Sequence, residues 1–291
     1  MRRIIEAAYD GMMLRDYLQK ELHFSRRIIK GLTSTPGNIW INNEPQTVRY
    51  TLCVGDRLFI QFPPEERGSV LQPEPIPLTM IYEDDDLMII DKPAGMATLP
   101  SSVHRSGTLA NGILAYYDKK HLPFTVHIVT RLDRDTSGIV LIAKHQYSHS
   151  LLAKALKEGN VMRKYFAGVE GKLLPKQGTI NAPIGRDTRS IIKRLVTEEG
   201  KTAISHYQVK QEMGSYSLVE IKLETGRTHQ IRVHFSYIGH PLAGDDLYGG
   251  TRIDIARQAL HCSEISFEHP ISKKIMHFRS SNPEDIEKLF M

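Results

Sequence analysis

The sequence predicts an α+β protein with two parts: a small α/β module, and a large domain built on a mixed, mainly antiparallel sheet with flanking helices. Two observations lead to this prediction. The stretch PPEERGSVLQPEPIP, residues 63–77, is rich in proline and charge and poor in core-forming residues, which marks a linker between residues 1–62 and 78–291. Beyond it, β-type and helical patterns mix without the regular strand–helix alternation of a parallel sheet.

Residues 1–62 have the pattern of a compact module. Leu14, Leu18 and Leu22 recur at helical spacing, and Ser25 is placed to cap a second short helix. Strand-like segments follow at 38–41 and 57–62. The second helix also carries three cations, which suit either phosphate contact or a solvated helix face: Arg26, Arg27 and Lys30.

The large domain shows clear local signals. Residues 87–90 and 138–143 read as buried strands, and the segments 204–209 and 216–223 flank a Met-Gly-Ser turn that predicts an antiparallel hairpin. Helices are predicted at 107–118, at 149–158 before Gly159, and from a Thr228 cap to Gly239.

Bulk composition narrows the class of protein. The net charge of +5 and the pI near 9.0 suit a polyanionic partner, although many small enzymes are equally basic. Two distant cysteines, Cys53 and Cys262, cannot form a disulfide framework, and no apolar run approaches the roughly 18 residues of a membrane helix. We therefore expect a cytoplasmic protein without a membrane partner.

The stretch TRLDRDTSGIVLIAKH, residues 130–145, places charged side chains directly before a buried strand. Asp135 has a plausible local role in the turn Asp-Thr-Ser-Gly, whereas Asp133 has none. Asp133 would sit at the entrance of a strand, where a rigid scaffold often positions catalytic groups. By pattern alone, a solvated Asp–Arg ion pair at the surface is favoured over a catalytic role.

A second unusual stretch spans residues 223–250. Arg227 falls in a tight loop at the start of a predicted helix, which suits the presentation of a fixed guanidinium. His229 and His234 are five residues apart without an obvious acidic ligand, so packing or hydrogen bonding is favoured over metal binding. We expect no metal site.

Several motifs now resemble a known family. RLDRDTSGIVLIAK resembles the catalytic motif of the RluA branch of RNA pseudouridine synthases, and LETGRTHQIRVH resembles its arginine motif. Four further motifs of that family follow the same order along residues 80–280: DKPAGM, RKYFAGVEG, GHPLAGDDLYG and LHCSEISFEHP. One position departs from the pattern, because Thr130 stands where the family usually has histidine. The SRRIIKGL, INN and GDRL segments resemble the alpha-L RNA-binding module of a ribosomal small-subunit protein.

The resemblance implies the pseudouridine synthase fold around a central cleft and isomerisation of uridine in structured RNA. It assigns the catalytic carboxylate to Asp133, acting as nucleophile at C1′ or C6 or as base at C2′. Arg227 would pair with Asp133 through a charge-assisted hydrogen bond, and Tyr165 would lie against the uracil. Arg131 and Lys92 join the module cations as RNA-binding candidates. The chemistry requires no metal or organic cofactor.

The implied partner is RNA, with ribosomal RNA of the large subunit favoured over transfer RNA, and we expect a monomer. Two other functions fit parts of the pattern. One is a non-catalytic RNA-binding or ribosome-assembly protein of the same fold. The other is a carboxylate-dependent hydrolase, which would use paired acids; Asp133 and Asp135 are the only adjacent pair in the motif.

Overall fold

A computed structural model describes residues 1–34, 38–65, 67–68, 71–101 and 104–291. The strands are β1 Arg2–Ile4, β2 Ile39–Ile41, β3 Glu44–Pro45, β4 Arg57–Ile60, β5 Thr79–Glu83, β6 Leu87–Lys92, β7 His127–Ile128, β8 Ser137–Ala143, β9 Met162–Glu170, β10 Gln177–Asn181, β11 Ile184–Arg186, β12 Arg194–Val196, β13 Ile204–Met213, β14 Tyr216–Leu223, β15 Leu260–Glu268 and β16 Ile275–Arg279. The helices are α1 Leu14–Lys20, α2 Arg26–Ser34, α3 Leu109–Lys119, α4 Gln146–Lys157, α5 Gln230–Tyr237 and α6 Glu284–Glu287.

The small module packs α1 and α2 on a four-stranded antiparallel sheet of order β1-β4-β2-β3. Ser25 caps α2 as predicted, because its hydroxyl accepts a hydrogen bond from the N–H of Ile28 at 3.2 Å. The apolar face of α2 is buried in a core with α1 and the strands. Its cations therefore lie on the opposite, exposed face.

The large domain is built on a sheet of order β10-β13-β14-β9-β15-β8-β6-β5, with β16 and β7 added at its sides. Its pairs are antiparallel except for β8 and β15, which run parallel, so the predicted mixed, mainly antiparallel α+β sheet is confirmed. Gly138 permits that parallel pairing: its φ is +111°, and a Cβ there would lie 2.3 Å from the carbonyl oxygen of Cys262. Strand β8 is buried along its whole length, as expected for a central strand.

The hairpin and both large-domain helices predicted before residue 160 are present, with shifted ends. Helix α4 begins three residues before the predicted start because His145 caps it, accepting the N–H of Ser148 on Nδ1 at 3.2 Å. Helix α5 begins at Gln230 and Thr228 does not cap it, because His229 precedes the helix in a left-handed conformation with φ 59°. No helix in the described ranges is long and apolar enough to cross a membrane.

Two described residues of the segment predicted as a linker are hydrogen-bonded to the large domain. Glu65 accepts hydrogen bonds from the N–H groups of Thr125 and Gln146 and contacts His127 Nε2 at 2.7 Å. Arg67 donates to the carbonyls of Phe124 and Leu122 at 2.8 and 2.9 Å. This part of 63–77 is therefore hydrogen-bonded to the domain that it precedes.

Candidate active site

A large cleft of about 1480 Å³ opens in the large domain. The loop before β8, the start of β9, the end of β14 with the loop that follows it, and the last turn of α4 line this cleft. A small inner pocket shares with this cleft the residues Asp133, Tyr165, Arg227, His229 and Arg232. The structure thus brings Asp133, Tyr165 and Arg227 into one cleft, together with Arg131 at its wall.

The position of Asp133 is fixed through its two chain neighbours. The buried hydroxyl of Thr98 donates to the carbonyl of Leu132 at 2.7 Å and accepts from its N–H at 3.2 Å. On the other side, the Nζ of Lys92 donates to the carbonyl of Arg134 at 3.1 Å. The Asp133 side chain between them is 26% exposed, so its carboxylate faces the cleft from a fixed backbone.

Arg232 supplies the cation beside Asp133. Its Nη1 donates to Asp133 Oδ2 at 3.3 Å, while Nε and Nη2 bind both oxygens of the fully buried Asp245 at 2.7 Å each. The guanidinium also lies 5.0 Å from the centre of the Tyr248 ring. Burial acts to lower the pKa of Arg232, but Asp245 and then Asp133 outweigh it and raise that pKa above its usual value.

This arrangement corrects the expected pairing of Asp133 with Arg227. Arg227 is exposed, its Nε donates to the carbonyl of Thr202 at 2.9 Å, and its own N–H is held by Gln230 Oε1 at 2.9 Å. The loop geometry that fixes Arg227 therefore turns its Nε to a backbone carbonyl. Arg232 lies in the same motif, but sequence spacing does not reveal which arginine reaches the carboxylate.

His229, for which the sequence pattern favours packing or hydrogen bonding, lies beside Asp133. Its Nε2 lies 3.8 Å from Asp133 Oδ2, and its Nδ1 lies 2.8 Å from the Tyr248 hydroxyl. Burial lowers the pKa of His229, although Asp133 acts in the opposite direction. Burial thus favours the neutral imidazole. The left-handed backbone at this position was not visible in the sequence pattern.

Tyr165 lies on β9, where it pairs with Cys262 of β15 on one side and Ile221 of β14 on the other. Its side chain is almost fully buried and its ring lines the inner pocket beside Asp133. Burial raises the pKa of Tyr165 far above its usual value, and the neighbouring Cys262 adds to this effect. The phenol is therefore protonated, and it offers the cleft a neutral aromatic surface.

Further cations surround the cleft. Arg131 is exposed, whereas Arg134 is held in a two-point ion pair with Asp135 at 2.9 and 3.0 Å. The Nε of Arg163 is buried without a hydrogen-bond partner among the described residues. Lys193, between β11 and β12, overhangs the same cleft. Away from the cleft, the three module cations are exposed on α2: Arg26, Arg27 and Lys30.

The burial of Lys92 does not fit the RNA contact expected from its motif. It has 0% exposure, and its Nζ donates to three carbonyl oxygens, those of Pro93, Met96 and Arg134. Burial lowers the pKa of Lys92 to about 7, with Asp133 acting in the opposite direction. Lys92 instead holds the loop that carries Asp133.

Thr130, where the family usually has histidine, is buried, and its hydroxyl accepts the N–H of Leu141 at 2.9 Å. One group in the described part of the chain has metal-ligand geometry: Asp84, Asp86 and His269, with ligand atoms within 4.8 Å of one another. Both carboxylates are engaged by imidazoles: His269 Nε2 lies 2.9 Å from Asp84 Oδ2, and His145 Nε2 lies 3.0 Å from Asp86 Oδ1. None of the three lines the cleft.

Residues 86–237 match the family model described as RNA pseudouridylate synthase. A similar relative is "Uncharacterized RNA pseudouridine synthase YjbO" of Bacillus subtilis, 48% identical over 92% of this chain and 95% of that protein. "Ribosomal large subunit pseudouridine synthase D" of Buchnera aphidicola is 41% identical over 75% of this chain and 74% of that protein. Among solved structures, "Human RNA Pseudouridylate Synthase Domain Containing 1" aligns with a TM-score of 0.59 and 25% identity, covering 75% of this chain and 87% of that chain. The chain therefore belongs to the RluA/RluD-type family of RNA pseudouridine synthases, isomerases that act on uridine in RNA.

Proposed function

We propose that this pseudouridine synthase modifies a uridine of structured large-subunit ribosomal RNA, with Asp133 as the catalytic carboxylate acting on a flipped nucleotide. The observation that carries the proposal is the fixed Asp133 carboxylate, open to the cleft and 3.3 Å from the Arg232 guanidinium. A carboxylate must be ionised to attack carbon or to accept a proton, and a nearby guanidinium favours the charged form.

The reaction breaks the bond from C1′ to uracil N1, turns the base and joins C1′ to C5; C5 loses a proton and N1 gains one. Asp133 can attack C1′ or C6, or take the C2′ proton, and each role requires a carboxylate next to the ribose and the base. Tyr165 offers an aromatic face against which the detached uracil can lie. Its protonated hydroxyl makes it a hydrogen-bond donor rather than a phenolate base in the resting enzyme.

A stacked and paired uridine cannot bring its ribose and base against Asp133 inside the cleft, so the nucleotide must leave the RNA helix at a cost of a few kcal/mol. The size of the cleft, about 1480 Å³, accommodates an extruded nucleotide with flanking backbone. Arg131 is exposed directly beside Leu132 and Asp133, which suits a side chain that fills the vacated position or holds the adjacent phosphate.

Ribosomal RNA is favoured as substrate for two reasons. Several relatives that match most of this chain are named as large-subunit ribosomal pseudouridine synthases. The chain is also basic, and a small module with three exposed cations on one helix suits contact with the phosphates of a large folded RNA.

Substitution of Asp133 by Asn tests the assignment, with release of tritium from RNA labelled at uracil C5 as the assay. We expect turnover to fall by at least about 10³-fold while RNA affinity stays within about twofold, because the side chain keeps its size and loses only its charge. Asp135→Asn is the matched control, since Asp135 is engaged by Arg134 and should leave turnover nearly unchanged. Near-wild-type turnover of Asp133→Asn would contradict the assignment.

The same assay separates the other two functions. A non-catalytic RNA-binding protein would release no tritium from any cellular RNA, and a hydrolase would yield free uracil. Mapping of pseudouridines in ribosomal and transfer RNA from cells that lack the protein identifies the substrate. Loss of a large-subunit site is expected, and loss confined to transfer RNA would overturn the ribosomal assignment.

A further inference from the structure

We propose that helix α4 fixes the distance between the small module and Asp133. The RNA helix bound by the module then determines which uridine enters the cleft. This inference rests on the proposed function. The RNA feature recognised is the phosphate backbone of a helix that adjoins the target uridine.

The small module docks on the first turn of α4. Tyr147, in the first turn of α4, is 3% exposed and belongs to the core of the small module rather than to that of the large domain. Its ring meets Phe24 edge-on at 4.3 Å and stacks on Phe62 at 5.8 Å, and its hydroxyl donates to the carbonyl of Leu22 at 2.8 Å. A large-domain side chain thus completes the core of the module, which fixes their mutual orientation.

Residues at the boundary between the module and the connecting segment strengthen the same contact with α4. Phe62 stacks on His145, the residue that caps α4, at 5.3 Å. Glu65 accepts the N–H of Gln146, the first residue of α4, at 2.8 Å. Arg3 of the module donates to the carbonyl of Ile271 on the large domain at 3.4 Å. Contacts from three separate parts of the chain therefore restrict rotation of the module relative to the large domain.

The C-terminal end of α4 lies at the cleft. Ala153, Leu156 and Lys157 of α4 line the cleft that contains Asp133. Tyr147 and Lys157 are ten residues apart, so the module joint and the cleft wall are separated by about 15 Å along a straight helix. Leu152 is buried and contributes to the core of the large domain, which keeps α4 from moving relative to β8.

The consequence concerns specificity. The exposed cations of α2 are held at one distance from the catalytic carboxylate instead of sampling many distances on a flexible tether. An RNA helix must then present its phosphates to α2 and its uridine to Asp133 at the same time. Fixed geometry raises the effective concentration of the correct uridine and lowers that of all others.

The test is a double-mutant cycle between the joint and the module cations. The substrates are a large-subunit RNA domain that contains the mapped site and a short hairpin that contains only the target loop. Tyr147→Ala should raise KM on the long RNA by about 10-fold and add modified uridines at other sites, with kcat on the short hairpin within about twofold of wild type. Tyr147→Phe keeps the ring and is the matched control, expected within about twofold on both substrates.

Energetic coupling between Tyr147 and the α2 cations distinguishes a contact that fixes the distance of the module from one that only stabilises the fold. Arg26→Ala/Arg27→Ala should weaken binding of the long RNA by about 10-fold in the wild type, and by less than about threefold once Tyr147→Ala has released the module. Equal effects in both backgrounds, or unchanged site selectivity of Tyr147→Ala, would overturn the proposal. If circular dichroism shows an unfolded module in Tyr147→Ala, Glu65→Ala loosens the joint without changing that core and gives the same decision. A wild type without turnover on either RNA would instead refute the proposed function.

Discussion

The pairing of Asp133 with Arg232, rather than with Arg227, gives the sharpest prediction. Arg232→Met removes the guanidinium and keeps the length and apolar character of the side chain. Two carboxylates lose their cation in this variant: Asp245, whose side chain has no exposure, and Asp133, which faces the cleft. The two losses have different consequences, one for stability and one for turnover.

The stability effect follows from the burial of Asp245. Its two hydrogen bonds from Arg232, both 2.7 Å long, disappear and leave a buried carboxylate unpaired. Breaking a buried ion pair by removal of one partner costs about 3–5 kcal/mol of unfolding free energy. Asp245→Asn in the same chain removes the orphaned charge, so the double variant Arg232→Met/Asp245→Asn should recover most of that loss.

The turnover effect should persist in the double variant. Asp133 still lacks the guanidinium that lies 3.3 Å from its carboxylate in the wild type, so we expect turnover about 10²–10³-fold below wild type. Urea denaturation measures the unfolding free energy, and tritium release measures turnover. Measuring both separates the structural role of Arg232 from its role at Asp133.

Arg227→Ala is the comparison variant, because Arg227 lines the same pocket and its Nε donates to the carbonyl of Thr202. It should unfold at nearly the wild-type urea concentration and lower turnover less than the Arg232 variants do, because its guanidinium is not hydrogen-bonded to Asp133. Recovery of full turnover by the double Arg232 variant would refute the reasoning. A larger loss of turnover in Arg227→Ala than in the double Arg232 variant would refute it equally.

Three further predictions follow from the groups around Asp133. Thr98→Val removes both hydrogen bonds to Leu132, so urea denaturation should show a loss of about 1–3 kcal/mol and turnover should fall more than RNA affinity. Lys92 has a pKa of about 7 in the folded protein and about 10.4 when unfolded, so between these values the unfolded chain binds more protons. The unfolding free energy therefore rises with pH, by up to about 1.4 kcal/mol per pH unit. Lys92→Met should abolish this rise, as measured by urea denaturation at pH 7 and pH 9. Tyr165→Phe should leave the shape of the pH–activity profile below pH 10 unchanged, because the buried phenol stays protonated there; a limb that vanishes in this variant would contradict that reading.

The sequence alone determined the mixed sheet, its central strands and the place of Asp133 before β8. Hydrophobic periodicity, turn residues and capping residues are local properties, so they can be read without knowledge of the fold. The motifs also indicated the family, which the comparisons confirm. Helices α4 and α5 begin at residues other than those predicted. His145 caps α4 and His229 precedes α5 in a left-handed conformation, and histidine is not among the usual helix-start signals.

Only the tertiary structure decided which charges meet. Arg227 and Arg232 lie five residues apart in one motif, and the choice between them depends on Asp245, which no local pattern connects to Asp133. Lys92 was expected to bind RNA, but the structure buries it, since its partners are backbone carbonyls that only folding brings together. Electrostatic energies and burial depend on distances through space, and the linear sequence does not contain those distances.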